Sequence, residues 1–144
     1  THKEFTEIIA KESGIGKDVI WEKIFNKIKV NSELLIIINR LKKKYKIALL
    51  TNFHHKPLSE LFIKYDLEKY FDLKVISSLH KLHKPDSKIF KKILRLLNIK
   101  PEEAIFIDDS QKYINGGKNI GLKSFLFTTN QKLKEDLKSC GVIV

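Results

Sequence analysis

From residue 46 onward the chain alternates short apolar runs with stretches whose apolar residues recur every three to four positions. The first of them, ending at Thr51, has no polar break and reads as a strand buried on both faces. The recurring pattern reads as a helix with one apolar stripe. Strands are therefore predicted over residues 46–51, 73–77, 104–107 and 124–127. Helices are predicted over 57–69, opened by Pro57, over 86–97, over 111–119 ending near Gly121, and over 131–139. Residues 142–144 are predicted as a small edge strand. Repeats of this length impose right-handed crossovers, and so a parallel sheet with helices on both faces. In such folds ligands bind beyond the carboxyl ends of the strands, where the strand order switches.

Ahead of this alternation the sequence is helical. Residues 3–13 place Phe5, Ile8 and Ile9 on one face and close at Gly14. Residues 17–28 repeat the pattern with Ile20, Trp21, Ile24, Phe25 and Ile28. Asn31 or Ser32 can cap a third helix, in which Leu34, Leu35, Ile38 and Leu41 face a core. Lys42, Lys43 and Lys44 then complement the negative end of its dipole. Residues 1–30 read as the remainder of an added helical cap, and residues 31–144 as a Rossmann-like α/β core.

A chain of 144 residues can bury roughly 68–70% of its unfolded surface, enough for a core without covalent staples. Cys140 is the single cysteine, so no intrachain disulfide can form, which suits a reducing, cytoplasmic setting. The longest apolar run, residues 34–38, falls far short of a membrane span. The formal net charge of +11 raises the question of nucleic acid. Of the 28 basic residues, however, only Arg40 and Arg95 are arginine, the side chain whose planar fork suits phosphates and base edges. The lysines are spread over nearly every helix, as on a solvated surface, so no specific nucleic-acid partner is expected.

Three polar clusters fall at the expected ligand-binding end. Thr51 and Asn52 follow the first strand. Thr51 can give its hydroxyl to a phosphate oxygen, beside the backbone N–H groups of Asn52 and Phe53; its structural alternative is to cap the next turn. Lys84 precedes Pro85, which biases it to an extended backbone. Asp86 reads as the N-cap of the helix that follows. Asp108 and Asp109 are adjacent at the end of the third strand and repel unless a positive charge sits beside them. Mg²⁺ is a natural remedy, because it takes oxygen ligands and keeps several waters. The alternative is that one of the pair caps the helix beginning near Ser110. His54, His55, His80 and His83 lack the converging spacing of a zinc site, and only His83 adjoins Lys84. Gly116 and Gly117 lie inside a predicted helix, where they suit close packing on the sheet better than a dinucleotide cradle.

The strings Leu49-Leu50-Thr51-Asn52, Lys84-Pro85-Asp86 with Ile89-Phe90, and Ile107-Asp108-Asp109-Ser110, in this order, resemble the haloacid-dehalogenase-like (HAD) hydrolases, in particular those with a small helical cap. Tyr70-Phe71-Asp72 is similar as well, and the likeness runs over residues 31–128. It implies that Thr51 and Asn52 bind the phosphoryl group and that Lys84 neutralises nucleophile and phosphate. It also implies that Asp109, with Asp108 beside it, holds Mg²⁺. The acidic pair points to a phosphatase acting on a small phosphorylated metabolite through an aspartyl-phosphate. Relatives often have Asn where this chain has Tyr113, and small Ala pairs where it has Gly116 and Gly117. No Asp-x-Asp strand precedes Thr51. The resemblance places that motif, which carries the nucleophile, on a central strand upstream of the cap. The chain as given is accordingly expected to lack its central first strand and to be inactive alone.

Two other readings stand beside the phosphatase. One is an interaction protein that kept the scaffold without catalysis. The other is a receiver-like phospho-acceptor domain, in which the acidic pair would precede rather than follow the hydroxyl and the lysine. Substrate identity and oligomeric state are not legible in the sequence.

Overall fold

The computed structural model describes residues 11–14 and 16–144, with the side chains of residues 17, 18 and 21 left aside. The predicted helix over residues 3–13 thus falls mostly outside the described part, as do Phe5, Ile8, Ile9 and the Trp21 side chain. The chain divides into two compact units between Asn31 and Ser32. In the first, helix α1 spans Lys17–Lys27. Ile20 is buried and Ile24, Phe25 and Ile28 are half-buried, in keeping with the predicted stripe.

The second unit carries the alternation. Helix α2 (Ser32–Lys42) leads to strand β1 (Ala48–Thr51), α3 (His55–Lys64) and β2 (Leu73–Ile76). The short helix α4 (Ser77–His80) and then α5 (Ser87–Leu97) follow, before β3 (Ile105–Asp108), α6 (Gln111–Lys118), β4 (Lys123–Leu126) and α7 (Asn130–Ser139). All four predicted strands form, each trimmed to four residues. Asp86 is the N-cap of α5, accepting the Lys88 N–H at 2.9 Å.

Three expectations need correction. The helix after Pro57 ends at Lys64 rather than residue 69. Asp66 adopts a left-handed backbone (φ 49°), and the Leu67 N–H turns back to the Phe62 carbonyl at 3.0 Å, so the terminal carbonyls are satisfied without glycine. Ser77 opens α4 instead of ending β2. Residues 142–144 form no strand; Val142 and Val144 pack as side chains against buried Leu133 and Leu137.

Strands β1 and β2 pair in parallel, with Thr51 opposite Ile76, and β3 and β4 pair in parallel, with Asp108 opposite Leu126. The two pairs are separate two-stranded sheets. Period-two alternation sends neighbouring side chains to opposite faces. Ala48, Leu50 and Phe106 join a core built on Val75, Ile89, Phe90, Ile93, Leu94 and Leu122. Ile47, Ile105 and Ile107 join a second core of Ile37, Leu41, Leu133 and Leu137. Helices thus cover both faces, α5 on one and α2 with α7 on the other. No described helix is long and apolar enough to cross a membrane.

Candidate active site

Alternation along β3 determines which way its last residue faces. Phe106 points to the α5 side, so Asp108, two residues on, points there too. Its carboxylate meets Lys84, which leaves the loop between α4 and α5. Lys84 Nζ lies 2.5 Å from Asp108 Oδ2, with both side chains about 8% exposed. The other carboxylate oxygen, Oδ1, accepts the Ser110 N–H at 2.9 Å. Asp108 is therefore fully engaged, and the positive charge that its position demanded is supplied by Lys84. Asp109 is exposed, and no described residue hydrogen-bonds or pairs with its carboxylate.

The same alternation on β1 separates Thr51 from Asn52. Leu50 faces the α5 side, and Asn52 follows it onto that side. There its amide grips the backbone of Lys84: the Lys84 N–H donates to Asn52 Oδ1 at 2.8 Å, and Asn52 Nδ2 donates to the Lys84 carbonyl at 2.9 Å. The same Nδ2 donates to the Tyr113 hydroxyl at 3.2 Å. Thr51 accepts the Phe53 N–H on its own hydroxyl at 3.2 Å, the local turn that threonine favours. The structure thus brings Asn52, Lys84 and Asp108 together, places Thr51 next to Asn52 in the chain, and leaves Asp109 exposed beside Asp108.

Tyr113 escaped the sequence reading as a site residue. The Lys84 ammonium sits 4.8 Å from the centre of its ring and 5.8 Å from that of Phe106, within cation–π range. A signal existed one helical turn on. At Gly116 a Cβ would lie 2.8 Å from the Pro85 carbonyl oxygen and Cβ. Only glycine permits that approach, so α6 presses on the Lys84-Pro85 loop and Tyr113, three residues earlier, shares the face. Gly117 likewise lies against Ser124 and Phe106, which bears out close packing rather than a nucleotide cradle.

Among the described residues no three His, Cys, Asp or Glu side chains form a metal cluster; of the histidines, His54 and His83 lie in loops, whereas His55 opens α3 and His80 closes α4. A cavity of about 270 Å³ lies away from Lys84, beside β4, lined by Gln111, Lys118, Thr128 and Lys132 among others. Of the two carboxylates expected to hold Mg²⁺, Asp109 carries exposed oxygens without a described partner, the hard donors that this ion takes, whereas both oxygens of Asp108 already accept from Lys84 and Ser110.

The haloacid dehalogenase-like hydrolase family model matches residues 3–127. Over 101 residues the chain is 36% identical to a glyceraldehyde 3-phosphate phosphatase of Pyrococcus furiosus, covering 69% of this chain and 42% of that protein. Over 81 residues it is 35% identical to a phosphorylated carbohydrates phosphatase of Thermotoga maritima, covering 56% and 38%. The chain thus spans about two fifths of the length of these relatives. In structure it resembles a HAD family enzyme of Bacteroides thetaiotaomicron, solved with magnesium and inorganic phosphate, at a TM-score of 0.73 and 24% identity over 90% of this chain and 71% of that one. Ordered motifs, a parallel α/β architecture and the family match agree, and the chain belongs to the haloacid dehalogenase-like hydrolases.

Proposed function

We propose that this protein is a Mg²⁺-dependent phosphatase of small phosphorylated metabolites, sugar phosphates foremost, working through an aspartyl-phosphate. The observation that carries the proposal is the buried Lys84–Asp108 pair with exposed, unpartnered Asp109 next to Asp108 in the chain. A buried ammonium, held by a carboxylate and two aromatic faces, is a fixed positive charge aimed at the strand ends. It meets the charge that builds on phosphoryl oxygens in the transition state, where such preorganised groups have most effect. The Thr51 hydroxyl and the backbone N–H of Asn52 add donors for the same oxygens. Asn52 contributes through its main chain, since its side chain holds Lys84.

Asp109, with Asp108 beside it, would hold Mg²⁺, which when bound neutralises phosphoryl charge and orients the substrate. In-line attack on phosphorus requires a carboxylate nucleophile. The resemblance assigns that role to an Asp-x-Asp motif, while Thr51, Asn52, Lys84, Asp108 and Asp109 would serve phosphate and metal. Names of the relatives support the substrate class: glyceraldehyde 3-phosphate, phosphorylated carbohydrates and an acylneuraminate 9-phosphate.

The test is phosphate release by the full natural protein from a panel of sugar phosphates, with MgCl₂ and with EDTA. Metal-dependent release is expected, falling at least ~10²-fold in Lys84→Ala, the scale of losing one charge-stabilising donor. Equal rates in Lys84→Ala and wild type overturn the proposal.

A further inference from the structure

Lys84 is held at two points by one residue of α6. Its ammonium rests on the Tyr113 ring at 4.8 Å. Its backbone is gripped by Asn52, whose Nδ2 is shared with the Tyr113 hydroxyl at 3.2 Å. We infer that Tyr113 is a positioning residue for Lys84. The ring carries the charged end and the hydroxyl fixes the clamp that carries the main chain. The inference rests on the phosphatase reading for its consequence, not for its geometry.

The chemistry favours an aromatic face at this place. An ammonium has three N–H donors and no acceptor. A second carboxylate would take another donor and compete with phosphate for the charge. A ring attracts the cation through its quadrupole without forming a strong directional bond. With Asp108 as one partner and rings beneath, Lys84 keeps its direction while its remaining N–H groups stay available to an incoming anion. The hydroxyl adds a separate constraint. Asn52 must present Oδ1 to the Lys84 N–H and Nδ2 to its carbonyl, and a flipped amide would set donor against donor. The Tyr113 oxygen accepts from the same Nδ2 and so ties the amide, once the Lys84 N–H and carbonyl have set its orientation, to α6.

The experiment uses protein with ¹³C-labelled lysine and ¹⁵N-labelled asparagine, Lys84 being assigned by Lys84→Arg. In the wild type, ring current is expected to move the Lys84 ε-methylene signal upfield of the other lysines. Tyr113→Phe should keep that displacement and move the Asn52 side-chain amide signal. Tyr113→Leu should return Lys84 to the bulk lysine position. With inorganic phosphate titrated in MgCl₂, Tyr113→Leu should weaken binding about 10-fold, and Tyr113→Phe by no more than about 3-fold. A Lys84 signal unmoved by Tyr113→Leu, or unchanged phosphate affinity in that variant, overturns the inference. Should Tyr113→Leu fail to fold, Tyr113→Phe still decides: an unmoved Asn52 amide signal overturns the clamp. A wild-type Lys84 signal indifferent to phosphate would defeat the phosphatase reading instead, leaving the ring-current result to judge Tyr113.

Discussion

Lys84 Nζ and Asp108 Oδ2 lie 2.5 Å apart between the two strand pairs, Lys84 beyond the end of β2 and Asp108 at the end of β3. The β1–β2 and β3–β4 pairs share no described ladder hydrogen bonds. The ion pair is therefore one of the polar ties between them, with the Asn52–Tyr113 bond from the β1 end to α6 as another.

Breaking that pair from one side should be costly. A buried carboxylate left without its cation loses about 3–5 kcal/mol of stability. Lys84→Met is expected to reach that range in urea denaturation, because methionine keeps the volume and removes the charge. The double variant Lys84→Met with Asp108→Asn should be less destabilised than the sum of the single changes, by about 0.5–3 kcal/mol. Additive effects would mean that the two side chains act independently.

The two carboxylates should separate in their effects. Asp108 has both oxygens engaged, whereas Asp109 is exposed and unpartnered. Asp109→Asn should leave stability within about 0.5 kcal/mol and still lower Mg²⁺-dependent turnover of the natural protein at least ~10²-fold. Excess EDTA should reproduce that loss in the wild type, and MgCl₂ should reverse it. Normal turnover in Asp109→Asn would remove this carboxylate from the metal site.

Helix α6 can approach the Lys84-Pro85 loop only through glycine. A Cβ at Gly116 would press on the Pro85 backbone oxygen at 2.8 Å, which cannot rotate away. At Gly117 it would meet the Ser124 hydroxyl at 2.8 Å, a rotatable group, and Phe106 at 3.0 Å. Gly116→Ala should cost about 1–3 kcal/mol, the range for overpacking, and should shift the amide signals of Lys84 and Asn52. Gly117→Ala should cost less and leave those signals in place. The reverse order in thermal or urea unfolding would show that the loop yields more readily than the sheet.

These residues also show what the sequence could and could not convey. Short apolar-rich runs disclosed all four strands, although Lys74 interrupts the second and β1 and β3 are half-buried along their length rather than buried on both faces. Asp86 was legible as a cap, and Gly116 with Gly117 as a packing contact, since each role depends on near neighbours. The end of α3 was not legible, because Asp66 takes the left-handed position that glycine usually advertises. Asn52 was read as a phosphate ligand, yet its side chain braces a residue 32 positions away. Tyr113 was passed over for the same reason: its partners come from β1 and from the loop before α5, and no local pattern encodes that meeting.

Asp72 should make stability depend on acid. Its carboxylate accepts the Ile47 N–H at 2.8 Å, while its own N–H donates to the Ile47 carbonyl at 2.7 Å. This pair extends the β1–β2 ladder by one step beyond Ala48 and Leu73. The Ile47 N–H chiefly, with Lys42 at 3.4 Å as a smaller influence, holds the carboxyl below its usual range. A folded value lower than the unfolded one means that the unfolded chain takes up protons first as pH falls. The stabilisation is therefore complete above the unfolded value of about 3.9 and is lost as pH drops through the folded value. The carboxylate is one-third exposed, so screening limits its contribution to about 0.5–1 kcal/mol. Asp72→Asn retains an oxygen acceptor for the Ile47 N–H but cannot titrate. Urea midpoints measured from pH 7 to pH 3 should therefore fall less steeply in Asp72→Asn than in the wild type, with the two curves converging at the acid end. Parallel curves would show that the Ile47 contact does not discriminate between the charged and neutral carboxyl.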